Sequence, residues 1–450
     1  MRPTPAHETK LEQVVLQPLR RTGPGFYYLL AGLGLVFLAG VAALARQWAV
    51  GLGVTGLGRP LYWGFYITNF VFFIGFSYAG TMISAILRVT QAEWRRPITR
   101  IAEAITVIAL IIGVIQIWFD MGRPDRVLFL FLYGRIESPM LWDVFCIGVY
   151  LLSSLLYLYL PLIPDLAHLR DHMLDAAAWR RRLYTFLSLG WRGGAEQRRR
   201  LEKAIGIMAI ILLPMVVSVH SVAAWIFGMT MQPMWHSTIL GPYFVVGAIF
   251  SGIAMLFILM STVRSMFHLE PWIGEKQYNY LGILLLVLSA FWAYFTLSEY
   301  LTTGYGSLTD EHRVLQAVLG GEFAPEFWIM LAGNLILPFA ILIRRKGRTP
   351  LGTFIASVGI VIGMWIERFL IVTPTLTRPS LGLLPAVYTP SLTEIAISFG
   401  SMALLVLSFL LFFKVFPAIS IWEVEEGEAV EAVRRKAREL AQGEAVRPSI

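Results

Sequence analysis

The stretch RPLYWGFYITNFVFFIGFSYAGTMISAILRVTQAEWRRPITRIAEAITV, residues 59–107, decides the fold. It is apolar over 61–88, turns through a short segment holding Arg95 and Arg96, and becomes apolar again at Ile98. A helix needs about 20 apolar residues to cross a bilayer, so this stretch reads as two crossing helices joined by a basic loop. The pattern continues outward on both sides, with spans expected at about 26–45, 61–88, 98–119, 142–160 and 204–227, then 239–260, 280–300, 327–343, 351–372 and 392–416. Residues 127–133 are apolar but too short to cross, and read either as interfacial or as an extension of a flanking helix. Ten spans make an all-α polytopic membrane protein with both termini on one side.

Composition agrees. Of 450 residues 57% are hydrophobic and 15% charged, against about 25% charged in soluble domains, which excludes a soluble enzyme. The 37 Lys and Arg against 29 Asp and Glu give a net charge of +8, but the basic residues stand in short runs between apolar stretches. They mark topology, and no nucleic acid partner is expected. The single cysteine, Cys146, cannot form an internal disulfide or hold an iron–sulfur cluster, and no C-x-x-C-H haem motif occurs. Any redox metal belongs to a partner.

The first apolar segment lacks a separate h-region and cleavage site before it, so it is read as a retained span. With the amino terminus inside, the loops 88–100, 165–203, 264–276 and 344–348 hold nineteen basic residues. The opposite loops hold seven: Arg46, Arg59, Arg123, Arg126, Arg135, Arg313 and Arg378. Local Lys and Arg bias sets orientation, so a multi-pass protein of the bacterial cytoplasmic (inner) membrane with both termini cytoplasmic is expected. Its parts are a cytoplasmic segment 1–25, a membrane domain 26–416 and a cytoplasmic tail 417–450, within which EVEEGEAVEAVRRKAREL (423–440) reads as a solvent-exposed helix. A cytoplasmic linker, 165–203, divides the membrane domain into halves of about 61–227 and 239–372.

An ionisable group in mid-bilayer costs roughly 2.5 kcal/mol or more, so each one asks for a partner, an aqueous cavity or a job. Asp120 and Asp143 fall at the outer ends of two consecutive spans joined by one loop, where two carboxylates can take protons from a hydroquinone. Each also has a structural reading: Asp120 with Arg123 as a helix-ending Gly-Pro turn, and Asp143 as a helix cap. Glu299 and the neighbours Glu367 and Arg368 lie toward the same side, the latter two reading also as a structural pair or, since adjacent helical residues do not face each other, as two separately satisfied groups. Toward the inside and middle, Glu103, Tyr78, His220, Thr68 and Asn69 are candidates for a proton path. Glu103 can instead answer Arg100, and His220 can be a packing residue. One deep histidine excludes a bis-histidine haem, and no metal site is expected. The Gly359/Gly363 pair and Gly75 with Gly80 point to close helix packing.

Residues 59–107, together with DMGRP (120–124), SPMLWDVF (138–145), FTLSEYLTTGYG (295–306) and WIERFLIV (365–372), resemble the NrfD/PsrC-type quinol-interacting membrane subunits. Within these the chain is most similar to ActC, the large membrane subunit of alternative complex III, over about 59–416. The resemblance implies two four-helix bundles, spans 2–5 and 6–9, flanked by the first and last helices. It implies menaquinol or ubiquinol as substrate near the outer surface, with no haem, cluster or metal on this chain. An iron–sulfur subunit on the outer face, multihaem cytochrome c subunits, an ActF-like paralogue and lipid are the implied partners, in a respiratory or photosynthetic chain with outward proton release and a capacity for proton translocation. The quinol-site pair of the family, histidine and aspartate, matches Asp120 and Asp143; Asp120 stands where histidine is usual, and Tyr78 stands in SYAG where GHAG is usual. Arg123, Glu299, Glu367 and Arg368 are the expected supports of that site. Two other classes compete: an ActF-like structural subunit, and a secondary transporter, against which the acids gather at outer ends rather than at midplane.

Overall fold

The computed structural model describes residues 10–173, 176–306, 308–380, 385–430 and 432–433. Among these the regular structure is helical, with one isolated bridge between Gly58 and Leu61. Ten helices are long and apolar enough to cross a membrane: span 1 Pro24–Val50, span 2 Phe65–Val89, span 3 Thr99–Asp120, span 4 Pro139–His172 and span 5 Ala195–Gly228. The second half holds span 6 Leu240–Met266, span 7 Glu275–Gly306, span 8 Ala324–Leu342, span 9 Pro350–Thr377 and span 10 Leu392–Val415. Several begin on recognisable signals. Pro24, Pro139 and Pro350 occupy the first helical turn, where a missing N–H is harmless. Span 10 opens on a capping box in which Ser391 and Glu394 satisfy each other's backbone N–H groups.

Span 2 is the most enclosed, with 83% of its apolar window buried, while span 1 has 6% and faces outward almost all round. Span 2 packs against spans 3, 5 and 6, span 3 against 4, and span 4 against 5. Span 6 packs against 7 and 9, span 7 against 8, and span 8 against 9, while span 10 holds span 1 and touches spans 2 and 3. Glycines set the closest approaches: a Cβ on Gly80 would lie 2.1 Å from the Ala102 carbonyl oxygen, and Gly40 and Gly400 meet between spans 1 and 10. Span 8 changes pitch to a π-turn over Ala332–Ile336, where Gly333 fits against Gly359 and Asn334 against Gly363.

Of three segments, the first follows its interfacial reading and the other two depart from expectation. Residues 129–132 form a separate single turn with Leu128, Phe129, Phe131, Leu132 and Tyr133 exposed, rather than prolonging span 3 or 4. Most of 165–203 is helical, because span 4 runs on through Pro161 and Pro164 to His172, a further helix covers Ala178–Leu187, and span 5 begins at Ala195. Asp165 looks like a loop residue but is buried against Arg100 at 2.9 Å. The third is the tail. Residues 421–430 are helical, yet Glu423 is 1% exposed and bonded to Arg88 and, at 3.1 Å, to Arg95, so the tail's start is tied into the protein rather than solvated. Residues 434–440 lie outside the described residues.

Candidate functional site

Asp120 closes span 3 and Asp143 lies five residues beyond Ser138, the N-cap of span 4. Asp143 is therefore a full turn inside the helix and does not cap it. It is buried, with Oδ1 lacking any hydrogen-bond partner. The field of its carboxylate falls on Tyr78 and Cys146, whereas Asp120 stands beside Glu394 and Tyr66. The two aspartates thus share an end of the molecule but not their neighbours. Asp120 is half-buried, and its Oδ1 is also unpartnered. Around it, Tyr66 donates to Gln47 Oε1 at 2.5 Å, and Gln47 Nε2 donates to the Phe119 carbonyl at 2.7 Å. Glu394 accepts from the Gly56 amide at 2.6 Å and from Tyr388 at 2.7 Å.

Arg123 does not reach Asp120. Gly122, at φ +63°, turns the chain, and the exposed Arg123 grips Asp125 with two bonds of 2.9 and 2.8 Å. Two residues along a turn are nearer than the helix end, which is why the expected support goes elsewhere.

The second set of acids lies in spans 7 and 9. Glu367 and Arg368 are each 1% exposed and pair at 3.1 Å, the first of the two structural readings of that dipeptide. In a low-dielectric interior the pairing offsets part of the cost of burying each charge. Gly247 leaves room for the guanidinium, which lies 5.0 Å over the Phe244 ring, and Trp292 donates to Glu367 at 2.8 Å. Glu299 accepts from Ser237 at 2.6 Å and, with Glu367, Tyr243 and Tyr300, lines a cavity of about 40 Å³. That volume suits a few waters rather than a quinone ring. Glu299 also borders an outward cleft with His236 and Glu311, which pair at 2.9 Å.

Between the two sets, Tyr78 packs on His220 at 4.3 Å and stacks on Tyr150 at 5.0 Å, and His220 touches Phe244. Thr81 bonds Thr106 at 3.0 Å and lies 3.3 Å from Tyr150. Glu103 accepts from Ser84 at 2.8 Å, and Ser84 meets Tyr157 at 3.2 Å. Arg100, the expected partner of Glu103, donates instead to Asp165 and the Pro161 carbonyl. Asn69 is tied to Ser398 and Trp365, away from this file, and the Thr68 hydroxyl has no partner. Sequence reasoning passed over the polar groups Gln47 and Gln116 on the Asp120 side, and the buried role of Glu423 at the other end. Gln116 carried a signal, being an amide four residues before an aspartate inside an apolar run. Among the described residues no group of three His, Cys, Asp or Glu is gathered to hold a metal.

Ten long apolar helices with carboxylates buried among them define a multi-pass integral membrane protein. The model of the family described as polysulphide reductase, NrfD, matches residues 53–380, and the chain belongs to this family. It is 26% identical over 422 residues to a putative dimethyl sulfoxide reductase membrane subunit of Halobacterium salinarum, covering 88% of this chain and 92% of that one. It is 23% identical to a selenate reductase subunit of Mesobacillus selenatarsenatis, covering 86% and 93%. It is 25% identical to an Hdr-like menaquinol oxidoreductase integral membrane subunit of Archaeoglobus fulgidus, covering 87% and 94%.

Proposed function

We propose that this chain is the quinol-interacting subunit of an electron-transfer complex of the alternative complex III type, oxidising menaquinol, or ubiquinol, near the outer face. The observation that carries this reading is Asp143, a buried carboxylate one turn inside its helix with an oxygen that no protein group satisfies. A hydroquinone hydroxyl supplies the missing hydrogen bond and then its proton. Overall, quinol yields quinone, two protons and two electrons; the protons leave outward through Asp143 and Asp120, and the electrons pass to an iron–sulfur subunit and on to multihaem cytochromes c. The menaquinol in the name of the Archaeoglobus relative supports that headgroup. Two four-helix bundles, spans 2–5 and 6–9, belong to this reading and are supported by the two rings of neighbouring helices. Translocation beyond scalar release is a further part, supported by the hydroxyls between Glu103 and Tyr78; a proton-to-electron ratio no higher than the scalar value rejects it.

The test is quinol oxidation by the assembled complex. Asp143→Asn removes the basic form and is expected to cut turnover by about 10²-fold or more while the complex stays assembled. A second reading, a non-catalytic ActF-like subunit, is favoured by Asp120 and Tyr78 standing where the family's histidines are usual. Turnover unchanged in both Asp143→Asn and Asp120→Asn would select it.

A further inference from the structure

The helix Ala178–Leu187, AWRRRLYTFL, stands between spans 4 and 5 in the chain but is held by more than its neighbours in sequence. Arg180 donates to the Leu19 carbonyl at 2.9 Å and to that of Lys414, and Tyr184 donates to the Val415 carbonyl at 2.8 Å. Lys414 and Val415 close span 10. At its other end, Tyr159 of span 4 donates to the Leu187 carbonyl at 2.6 Å. Tyr159 stands twenty residues past Pro139 on span 4. At 1.5 Å per residue that is about 30 Å, one hydrocarbon thickness. The helix therefore runs across the arginine-rich end of the molecule, from span 10 to span 4, at the edge of the apolar layer.

One of its faces is taken up by these contacts. Tyr184 is buried, Arg180, Leu183 and Leu187 are half-buried, and the spacing turns all four the same way. What remains divides into two flanks. Trp179 and Phe186, seven residues apart, share one flank and are 56% and 77% exposed. Arg181 and Thr185 share the other, Arg182 stands between the flanks, and all three are exposed. Among the described residues neither the Arg181 nor the Arg182 guanidinium has a hydrogen bond or ion pair. From 178 to 200 the chain carries seven arginines against a single acid, Glu196. A solvated helix has no use for the two bare rings, and a helix sunk among acyl chains has none for the two bare charges. A helix lying in the plane of the interface uses both, with rings at the acyl boundary and cations among the headgroups.

We propose that Arg181 and Arg182 bind the phosphate of an anionic phospholipid, whose acyl chains lie against Trp179 and Phe186. A guanidinium offers a phosphate two parallel N–H bonds and sheds its hydration more readily than an ammonium does. The helix holds no acid to answer either arginine, so the net positive charge favours an anionic headgroup over a zwitterionic one. The assignment stands apart from the quinol reading, since it uses no residue of that site.

The experiment uses the full chain in a Cys146→Ser background, with Phe186→Cys carrying an NBD fluorophore. It is placed in phosphatidylcholine nanodiscs that contain an equal share of either brominated phosphatidylglycerol or brominated phosphatidylcholine. Brominated phosphatidylglycerol is expected to quench the label about three-fold more strongly or better, and Arg181→Gln with Arg182→Gln to make the two lipids equal. A label at Thr185→Cys, on the other flank, is expected to be quenched by aqueous iodide instead. Equal quenching by the two lipids with both arginines present overturns the proposal, as does quenching of position 186 by iodide and not by lipid. If inorganic phosphate removes the phosphatidylglycerol excess while chloride at the same ionic strength leaves it, the ligand is free phosphate and the lipid assignment falls. A protein occupant is tested in native membranes, where benzoylphenylalanine at position 186 is expected to crosslink to no polypeptide; a crosslink to one overturns the proposal. Should Phe186→Cys fail to fold, Trp179→Cys on the same flank replaces it with the same outcomes. Should the glutamine pair fail, the comparison of the two lipids in the arginine-bearing chain decides alone.

Discussion

Asp120 and Asp143 look alike in the sequence, each at the same end of a neighbouring span, yet Asp120 has Glu394 and Tyr66 beside it while Asp143 faces Tyr78. Asp120→Asn is expected to slow quinol turnover as Asp143→Asn does, whereas Asp120→His, which restores a titratable acceptor near neutral pH, keeps it. Steady-state assays on assembled complex separate the two, and equal loss in both Asp120 variants rejects a proton-accepting role at that position. Residue type alone made these acids visible, because a charge in an apolar run is conspicuous. What each one touches was not legible: Arg123, expected at Asp120, grips Asp125 instead, and Gln116, visible as an amide in an apolar run, gives no sign in the sequence of which neighbours it meets.

At the level of elements, the spans were legible because bilayer length is a strong constraint, while charged stretches were misread wherever a charge found a buried partner. Asp165 and Glu423 are both of this kind. Burial pushes the Glu423 carboxyl up, but the guanidiniums of Arg88 and Arg95 outweigh it and hold the group below its ordinary value. A depressed carboxyl adds stability that is complete above the unfolded value of about 4.3 and is lost as pH falls through the lower folded value. Glu423→Gln is expected to lower stability by about 3 kcal/mol or more, as for one partner removed from a buried pair, and to flatten the acid limb of the stability profile. Thermal unfolding in detergent between neutral and acid pH measures both, and an unaltered midpoint removes the pair from the account. Gly80→Ala is expected to part spans 2 and 3, since its Cβ would overlap the Ala102 carbonyl; the same melts should show a loss of about 1–3 kcal/mol.

For the whole molecule, the count of spans follows from composition, but the side on which each end lies rests on charge bias alone. In a Cys146→Ser background, Arg313→Cys is expected to react with an impermeant maleimide in right-side-out vesicles, and Arg199→Cys only after permeabilisation. Both positions are well exposed, so the reverse pattern would invert the topology. The order of packing around span 2 could not be read beforehand, because small residues suit many partners and only register chooses among them. Nor could the contact between Arg88 and Glu423, whose positions in the chain are 335 residues apart. That contact has a consequence in time. The ribosome makes the amino end first, so Arg88 and Arg95 emerge with their shared counter-charge still unmade, and wait through the synthesis of eight further spans. Copies abandoned before Glu423 keep two guanidiniums without the carboxylate that neutralises them in finished ones, so the last stretch made completes the electrostatics of one of the first.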